Sequence, residues 1–319
     1  LSENAVVFEQ AIASVPLTFP SHTTIFTGEY PTRHGIRDNG GFFLDASATT
    51  MAEVLKGAGY ATGAFIGAWV LEARWGLGQG FDKYSDEFDL SKYKVISLGT
   101  VQKTGEEVVN DAITWLDTVK TGKFFGWVHL YDPHTPYDPP EPFASQFPNQ
   151  PYLGEIAYTD AQVGRLIEWL KANGLDKNTV VIVTGDHGES LGDHGEATHA
   201  YFVYDSTMHV PLIVKTPWND KGRNPSMVSS ADIFPTVLDL LGLPPVKGPI
   251  DGTSLAPGIV NPEAEVGGTA YAETYFTRYH FGWQHLRSLR NHEYTYVDAP
   301  EPELYDRRTD PGETNNIYK

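Results

Sequence analysis

The stretch Thr-Gly-Asp-His-Gly-Glu, residues 184–189, sets a carboxylate beside an imidazole at the end of an apolar run, residues 179–183. That run reads as a buried parallel strand with polar residues only at its ends. Ligands of open α/β sheets bind beyond the carboxyl ends of the strands, so Asp186 and His187 lie where a site would be. Gly185 and Gly188 let the backbone turn there without a Cβ clash. An adjacent Asp and His can both ligate a hard or borderline divalent cation. Alone, the pair would serve as well to cap a strand and its turn.

Two other stretches carry reactive groups to comparable places. In residues 15–28, Pro20 suits the first turn of a helix, which puts Thr18 just before that helix. Its hydroxyl there meets free backbone N–H groups and the positive end of the helix dipole, where an anion is easily held. The commoner job of a Thr at that position is to cap the helix. The strand expected over residues 123–131 delivers Asp132-Pro133-His134-Thr135-Pro136-Tyr137 to a strand end. His194 and His199 follow the Asp–His pair. A hydroxyl, several imidazoles and a carboxylate are what metal-assisted attack on a phosphate or sulfate ester needs. Imidazoles can contact the non-bridging oxygens or protonate a leaving alkoxide.

These residues need elements to hold them. Helices are expected over residues 48–58, 105–120, 153–173 and 228–241. The second would turn Val109, Ile113 and Leu116 inward, the third Ile156, Val163, Leu166, Ile167 and Leu170. Strands are expected near residues 5–8, 61–66, 123–131, 179–183 and 210–214, and residues 69–88 read as an ordered loop. The alternation calls for an α/β fold, a mostly parallel central sheet sandwiched by helices. From about residue 266 aromatic and β-branched runs suggest a small antiparallel sheet. The expected division is thus 1–265 for a catalytic domain and 266–319 for a C-terminal α+β subdomain. Asp38 and Asn39 read as a turn, His209 as structural, and Glu189 and Asp193 as solvated or structural.

At 319 residues the chain can bury a large core. Its formal charge of −18 lacks the basic footprint of a nucleic-acid binder. With no cysteine there is no disulfide framework, thiolate metal site or cysteine nucleophile. No run approaches the roughly 18 apolar residues of a membrane span.

Thr18-Phe19-Pro20-Ser21-His22, followed by residues 27–35 (Thr-Gly-Glu-Tyr-Pro-Thr-Arg-His-Gly), resembles the signature of the sulfatase-like branch of the alkaline phosphatase superfamily. Residues 184–189 resemble its second metal motif. Later landmarks also match: His209-Val210-Pro211-Leu212-Ile213, Asp232-Ile233-Phe234-Pro235-Thr236, Asp251-Gly252-Thr253-Ser254-Leu255, Glu303-Leu304-Tyr305-Asp306, Asp310-Pro311-Gly312-Glu313 and Asn316. The resemblance covers nearly the whole chain.

It implies a metal-dependent ester hydrolase. Thr18 falls where sulfatases have the cysteine or serine that matures to formylglycine, an aldehyde hydrate that threonine cannot give. The resemblance therefore shifts toward members with a threonine nucleophile, the nucleotide pyrophosphatase/phosphodiesterases and the phosphoethanolamine and phosphoglycerol transferases, which form a covalent phospho-threonine. It implies Asp186, His187 and Thr18 at a divalent metal (Zn²⁺, Mn²⁺ or Ca²⁺, one or two ions). His22, His134 and His199 would bind the substrate, with His134 and His199 also taking part in the chemistry. Asp132 and His194 would stand behind the ligands and orient them. The substrate would be a small-molecule, lipid or glycan ester of phosphate or sulfate. Three departures shape the alternatives. Gly67-Ala68-Trp69-Val70 lacks the Lys and His of the arylsulfatase stretch, and His22 replaces the signature arginine. The family's first strand, with its metal-binding aspartates, would have to precede Leu1. Sulfate-ester hydrolysis proper, transfer in place of hydrolysis, and a catalytically inactive binding domain are the other expectations.

Overall fold

Strands in the computed structural model, which describes residues 1–218 and 221–319, run in the order β1 (Val6–Ile12), β2 (Ala61–Ile66), β3 (Lys83–Ser85), β4 (Phe124–His129), β5 (Val181–Thr184), β6 (His209–Lys215), β7 (Gly222–Ser229), β8 (Ala270–Thr274), β9 (Leu286–Arg290), β10 (Tyr294–Asp298) and β11 (Glu303–Asp306). The architecture is mixed α/β, divided into two compact units. Residues 1–48 and 179–319 form the first, residues 49–178 the second.

The first unit is built on a mixed sheet ordered β5-β6-β1-β7. Strand β1 lies inside it, antiparallel to β6 and parallel to β7, with Val6, Phe8 and Ile12 buried. A bulge follows Phe8 on both sides of β1, which bends the strand as it nears the segment leading to Thr18. The run before the Asp–His pair differs from the expected buried parallel strand. β5 pairs antiparallel with β6, Val181 opposite Lys215 and Thr184 opposite Leu212, and its four residues are half-buried. It runs parallel to β1 only through the intervening β6. Strand β7 corrects a second expectation, since it takes Val228 out of the helix foreseen from that residue; the helix is Ile233–Leu240. Periodicity missed β7 because Pro225 and polar Asn224 and Ser226 interrupt its apolar pattern. Proline is tolerated on an outer strand, and β7 is one. The small sheet is a fully antiparallel meander ordered β11-β10-β9-β8 and belongs to the same unit.

Helix Thr18–Thr27 is buried along its whole length although five of its ten residues carry hydroxyls and one is a histidine. The hydroxyls are satisfied locally: Thr23 Oγ1 donates to Phe19 O at 2.8 Å and Thr27 Oγ1 to Thr23 O at 2.7 Å. Gly28 ends the helix at φ +68°, the left-handed conformation that frees its N–H to reach Thr24 O.

Just beyond, His34 accepts from Ile36 N at Nδ1 (3.1 Å), and its Nε2 meets Thr24 Oγ1 at 3.1 Å. Part of the residue's surface reaches solvent, yet enclosure of the ring, aided by the Arg37 charge, pulls its pKa down to about 3 from 6.5. Below pH 6.5 the unfolded chain binds a proton there that the folded chain refuses, so stability falls as pH drops from 6.5 toward 3. The loss is on the order of a few kcal/mol over that window. His34→Gln should flatten that part of the stability–pH curve measured by urea denaturation. An unchanged slope would contradict it.

The second unit carries a parallel sheet ordered β3-β2-β4. Its helices Met51–Gly57 and Gly105–Val119 start at capping boxes, Thr50 with Glu53 and Thr104 with Glu107. Phe65 of β2 packs with Val108 and Ala112 of the second helix, flanked by Trp115, Val128 and Leu166. Ile113 on that helix is half-buried, with Val108 and Ala112 taking the inward places beside Val109 and Leu116. The long helix is Pro151–Ala172. Its Ile156 is exposed, against expectation, because Gly154, Glu155, Tyr158 and Gln162 face inward. Glu155 sets that rotation by accepting from the backbone N–H groups of His134 (3.2 Å) and Asp138 (2.7 Å). Burial lifts its pKa to about 7. No helix among the described residues is long and apolar enough to cross a membrane.

Candidate functional site

The first unit brings Thr18, His22, Asp186 and His187 together. Thr18 is the first residue of its helix, not a residue before it, and its side chain makes no cap bond. The cap comes from Asn39, whose Oδ1 accepts from Phe19 N at 2.9 Å. That frees the Thr18 hydroxyl from the capping duty and leaves Oγ1 3.4 Å from His187 Nε2. Asp38 also does more than turn the chain: its Oδ2 holds His280 Nε2 at 2.8 Å. The turn that sequence reading saw at residues 38–39 is therefore also the support of the Thr18 helix. Proximity of Asn39 to Phe19 was the missing signal, and no local pattern carries it.

His187 has a fixed tautomer. Its Nδ1 lies 3.0 Å from Gly188 O, which can only accept, so Nδ1 bears the proton and Nε2 presents a lone pair. Burial lowers the His187 pKa, partly against the neighbouring Asp186 charge, which favours the neutral ring. Nε2 stands 3.6 Å from Asp186 Oδ2. A lone pair facing a carboxylate oxygen is unfavourable unless a cation or a shared proton lies between them. The Thr18 hydroxyl adds a third donor of a different kind. This nitrogen–oxygen set, with no thiolate, fits a hard or borderline divalent cation. His22 Nδ1 donates to Thr18 O at 2.8 Å and approaches Asp186 Oδ2 at 3.5 Å. Ser21 Oγ donates to Asp186 O at 2.6 Å, tying one turn of the helix to the loop that carries the Asp–His pair.

His199 joins this group through its ring, 4.4 Å from that of His187. Its Nδ1 donates to Glu189 Oε1 at 2.9 Å, so Glu189 is a buried partner that orients a histidine. Glu196, also buried, accepts from Tyr201 N at 2.7 Å and from Ser190 Oγ at 3.2 Å, closing the loop that presents His199. Of the two glycines beside the Asp–His pair, Gly188 is the demanding one. A Cβ there would stand 2.4 Å from Ser206 O, whereas at Gly185 it would meet Val210 at an ordinary 3.4 Å. Gly188→Ala should therefore push the loop off its seat and cost about 1–3 kcal/mol. A thermal melt indistinguishable from wild type would show that the backbone has room after all.

His194 faces elsewhere in the same unit. Its Nε2 meets Glu313 O at 2.9 Å, its ring stacks on Tyr204 at 3.7 Å, and Nδ1 lies 3.3 Å from Asp193 Oδ2. His209 bonds Glu9 O through Nε2 and approaches Asp205.

His134 and Asp132 belong to the second unit. His134 Nδ1 donates to Thr135 O at 2.7 Å, its Nε2 meets the Tyr131 hydroxyl at 3.0 Å, and the two rings stack at 4.2 Å. Asp132 Oδ2 accepts from Gly105 N at 3.1 Å, which anchors the start of helix Gly105–Val119. Burial raises its pKa.

Residues 1–243, which carry the buried helix and the Asp–His pair, match the sulfatase family model, and the chain belongs to that family. This makes it a sulfatase-like hydrolase. Residues 192–319 match a second model, "N-sulphoglucosamine sulphohydrolase, C-terminal". The ulvan-active sulfatase of Formosa agariphila is 28% identical across 99% of this chain and 71% of its own length. The N-acetylglucosamine-6-O-sulfatase of Bacteroides thetaiotaomicron is 32% identical across 52% of this chain and 31% of its own. Two solved structures share the fold. One is a protein in complex with its substrate D-glucosamine-2-N,6-O-disulfate (TM-score 0.84, 21% identity, 99% of this chain and 86% of the other). The other is the phosphonate monoester hydrolase of Agrobacterium radiobacter (TM-score 0.81, 23% identity, 99% and 85%).

Proposed function

We propose that the chain cleaves phosphate esters by way of a covalent intermediate on Thr18. The observation that carries this reading is the Thr18 hydroxyl at a helix start, 3.4 Å from the anchored, neutral His187. Thr18 Oγ forms a bond to phosphorus as the bond to the ester oxygen breaks, and the proton that the hydroxyl gives up ends on the departing alkoxide. Water then attacks the phospho-threonine, releasing phosphate and restoring the hydroxyl. The positive end of the helix Thr18–Thr27 dipole faces the charge on the transferring group. His199, held at Nδ1 by Glu189, presents its other nitrogen to the ester oxygens. His22 keeps Thr18 and Asp186 in register through its single Nδ1–H. The same substrate-facing role for His134 is a proposal resting on its position in the sequence.

Asp186, His187 and Thr18 would hold a divalent cation. Such an ion would lower the pKa of a bound hydroxyl and offset developing negative charge. Its identity, and a second ion near His199, belong to the same proposal. So does the division into a catalytic region, 1–265, and a C-terminal subdomain, 266–319.

Sulfate esters are the second reading, favoured by relatives that are named sulfatases. Against it stands Thr18, which cannot become formylglycine. The deciding experiment compares turnover of matched phosphate and sulfate monoesters and a phosphodiester with Zn²⁺, Mn²⁺ or Ca²⁺ added. Acid quenching during phosphate-ester turnover should leave a phosphoryl group on the peptide that contains Thr18. Faster sulfate than phosphate turnover, with no labelled peptide, would install the second reading in its place.

A further inference from the structure

Strand β9 carries an arginine that passes over the acids beside it. In the sheet register Arg287 lies between Glu273 of β8 and Asp298 of β10, where opposite charges on neighbouring strands ordinarily meet. It pairs with neither. Both oxygens of the buried Glu273 are already engaged, since Arg37 Nε donates to Oε1 at 2.8 Å and the Tyr271 hydroxyl to Oε2 at 2.6 Å. Arg287 instead sends Nη2 to the Tyr275 hydroxyl, just past the end of β8, at 2.7 Å. Its Nε is buried with no partner among the described residues. Acidic side chains outnumber Lys and Arg by 41 to 23 in this chain, so the missing partner is not for want of carboxylates.

The groups around Arg287 are short of acceptors too. The Tyr275 oxygen accepts from Arg287, which leaves the hydroxyl proton to be donated elsewhere, and no acceptor for it lies among the described residues. His285 stacks on the Tyr275 ring at 4.3 Å and 10°, and the Arg37 guanidinium stands 4.4 Å from the same ring's centroid. Burial lowers the His285 pKa, and the Arg287 and Arg37 charges push the same way, so two cations act on one spot. We propose that Arg287 and the Tyr275 hydroxyl form the seat of an oxyanion, a carboxylate, phosphate or sulfate group, with Arg37 supplying the second positive charge. The donors select that chemistry. A guanidinium fork matches two oxygens of one anion and the hydroxyl takes a further lone pair, whereas a cation would find nothing there to bind it. The seat goes beyond the ester-cleaving reading and does not depend on it. Arg37 comes two residues before Asn39, the cap of helix Thr18–Thr27, so the occupant would border the segment that supports that helix.

The test follows the His285 imidazole by NMR in the full chain, with its signals assigned from His285→Gln. Inorganic phosphate, sulfate or acetate is added at constant ionic strength made up with chloride. At least one of the three should move the His285 signals saturably. Arg287→Gln should weaken that binding about tenfold or more, the loss of a charged hydrogen-bonding partner. Tyr275→Phe keeps the ring and its stack and should weaken it about threefold or more; it decides the matter if Arg287→Gln does not fold. No movement with any of the three anions, or unchanged affinity in the variants, overturns the seat. Movement at His187 and His199 with His285 still would overturn it too, and would assign the anion to the ester site. A chain that cleaves no ester but shows the His285 titration keeps the seat and loses the function proposed above. Kinetics separates the two sources of the anion. 3-Phosphoglycerate and glycerol 1-phosphate are phosphate esters with and without a carboxylate. A loss in Arg287→Gln confined to the first places the anion on the substrate. No selective loss, with the titration positive in wild type, makes it a free anion.

Discussion

Thr18→Ala should lower kcat on the best phosphate ester by about 10⁴-fold or more, because removing a covalent nucleophile removes the bond-forming atom itself. Part of the rate over water should survive, since in the proposed mechanism His199 and the Asp–His pair would still bind and orient the ester. The fold should be intact. Thr18 Oγ1 is no helix cap, and it meets His187 only at a long 3.4 Å, so the stability should shift by less than about 1 kcal/mol. Thr18→Ser keeps a hydroxyl on the same backbone and should keep measurable turnover. The pair of variants separates two explanations. A residue that only packs would tolerate Ala and Ser alike, and a melting shift would accompany any loss. Full turnover in Thr18→Ala would remove the covalent step from the mechanism.

What the chain's order could reveal follows from the range of the interactions involved. Asp186 and His187 lie next to each other, so their joint chemistry is written in two letters, and the helix that begins at Thr18 is announced by Pro20 within three residues. Capping boxes at Thr50 and Thr104 are equally local. Asn39 is different. It serves Phe19 from twenty residues away, and nothing near either residue distinguishes that use from a plain turn. Glu189 illustrates a subtler case: within the second motif it looks like a charged loop residue, and only the return of the chain to His199 turns it into a buried partner. Strand β7 was hidden for a different reason. Its inward places hold Asn224 and Ser226, whose side chains are satisfied by Ala264 O and by the N–H of Val266, so apolar alternation never appears. Ile156 shows periodicity overruled, since two backbone N–H groups needed Glu155 more than the core needed an isoleucine.

Glu313 is one such residue: a family landmark on the page of the sequence, and a charge at the centre of the first unit in three dimensions. Both Arg290 and Glu313 have fully buried side chains, 3.5 Å apart, and Arg307 Nη1 lies 3.9 Å from the same carboxylate oxygen. Glu313 also accepts from Asp205 N at 2.8 Å, and its backbone carbonyl receives His194. Burial lowers the Arg290 pKa, against the pull of Glu313 and Asp205, and the guanidinium stays charged. Glu313→Gln preserves size and an acceptor oxygen but removes the charge. It should cost about 3–5 kcal/mol, the penalty of leaving a buried cation without its partner. Arg290→Met alone should cost less, because Arg307 remains beside Glu313 and donates to Asp205 at 2.9 Å. The double variant should recover part of the Glu313→Gln loss, giving a coupling energy of at least about 1 kcal/mol in a double-mutant cycle by urea denaturation. Strictly additive losses would mean that the two charges do not sense each other.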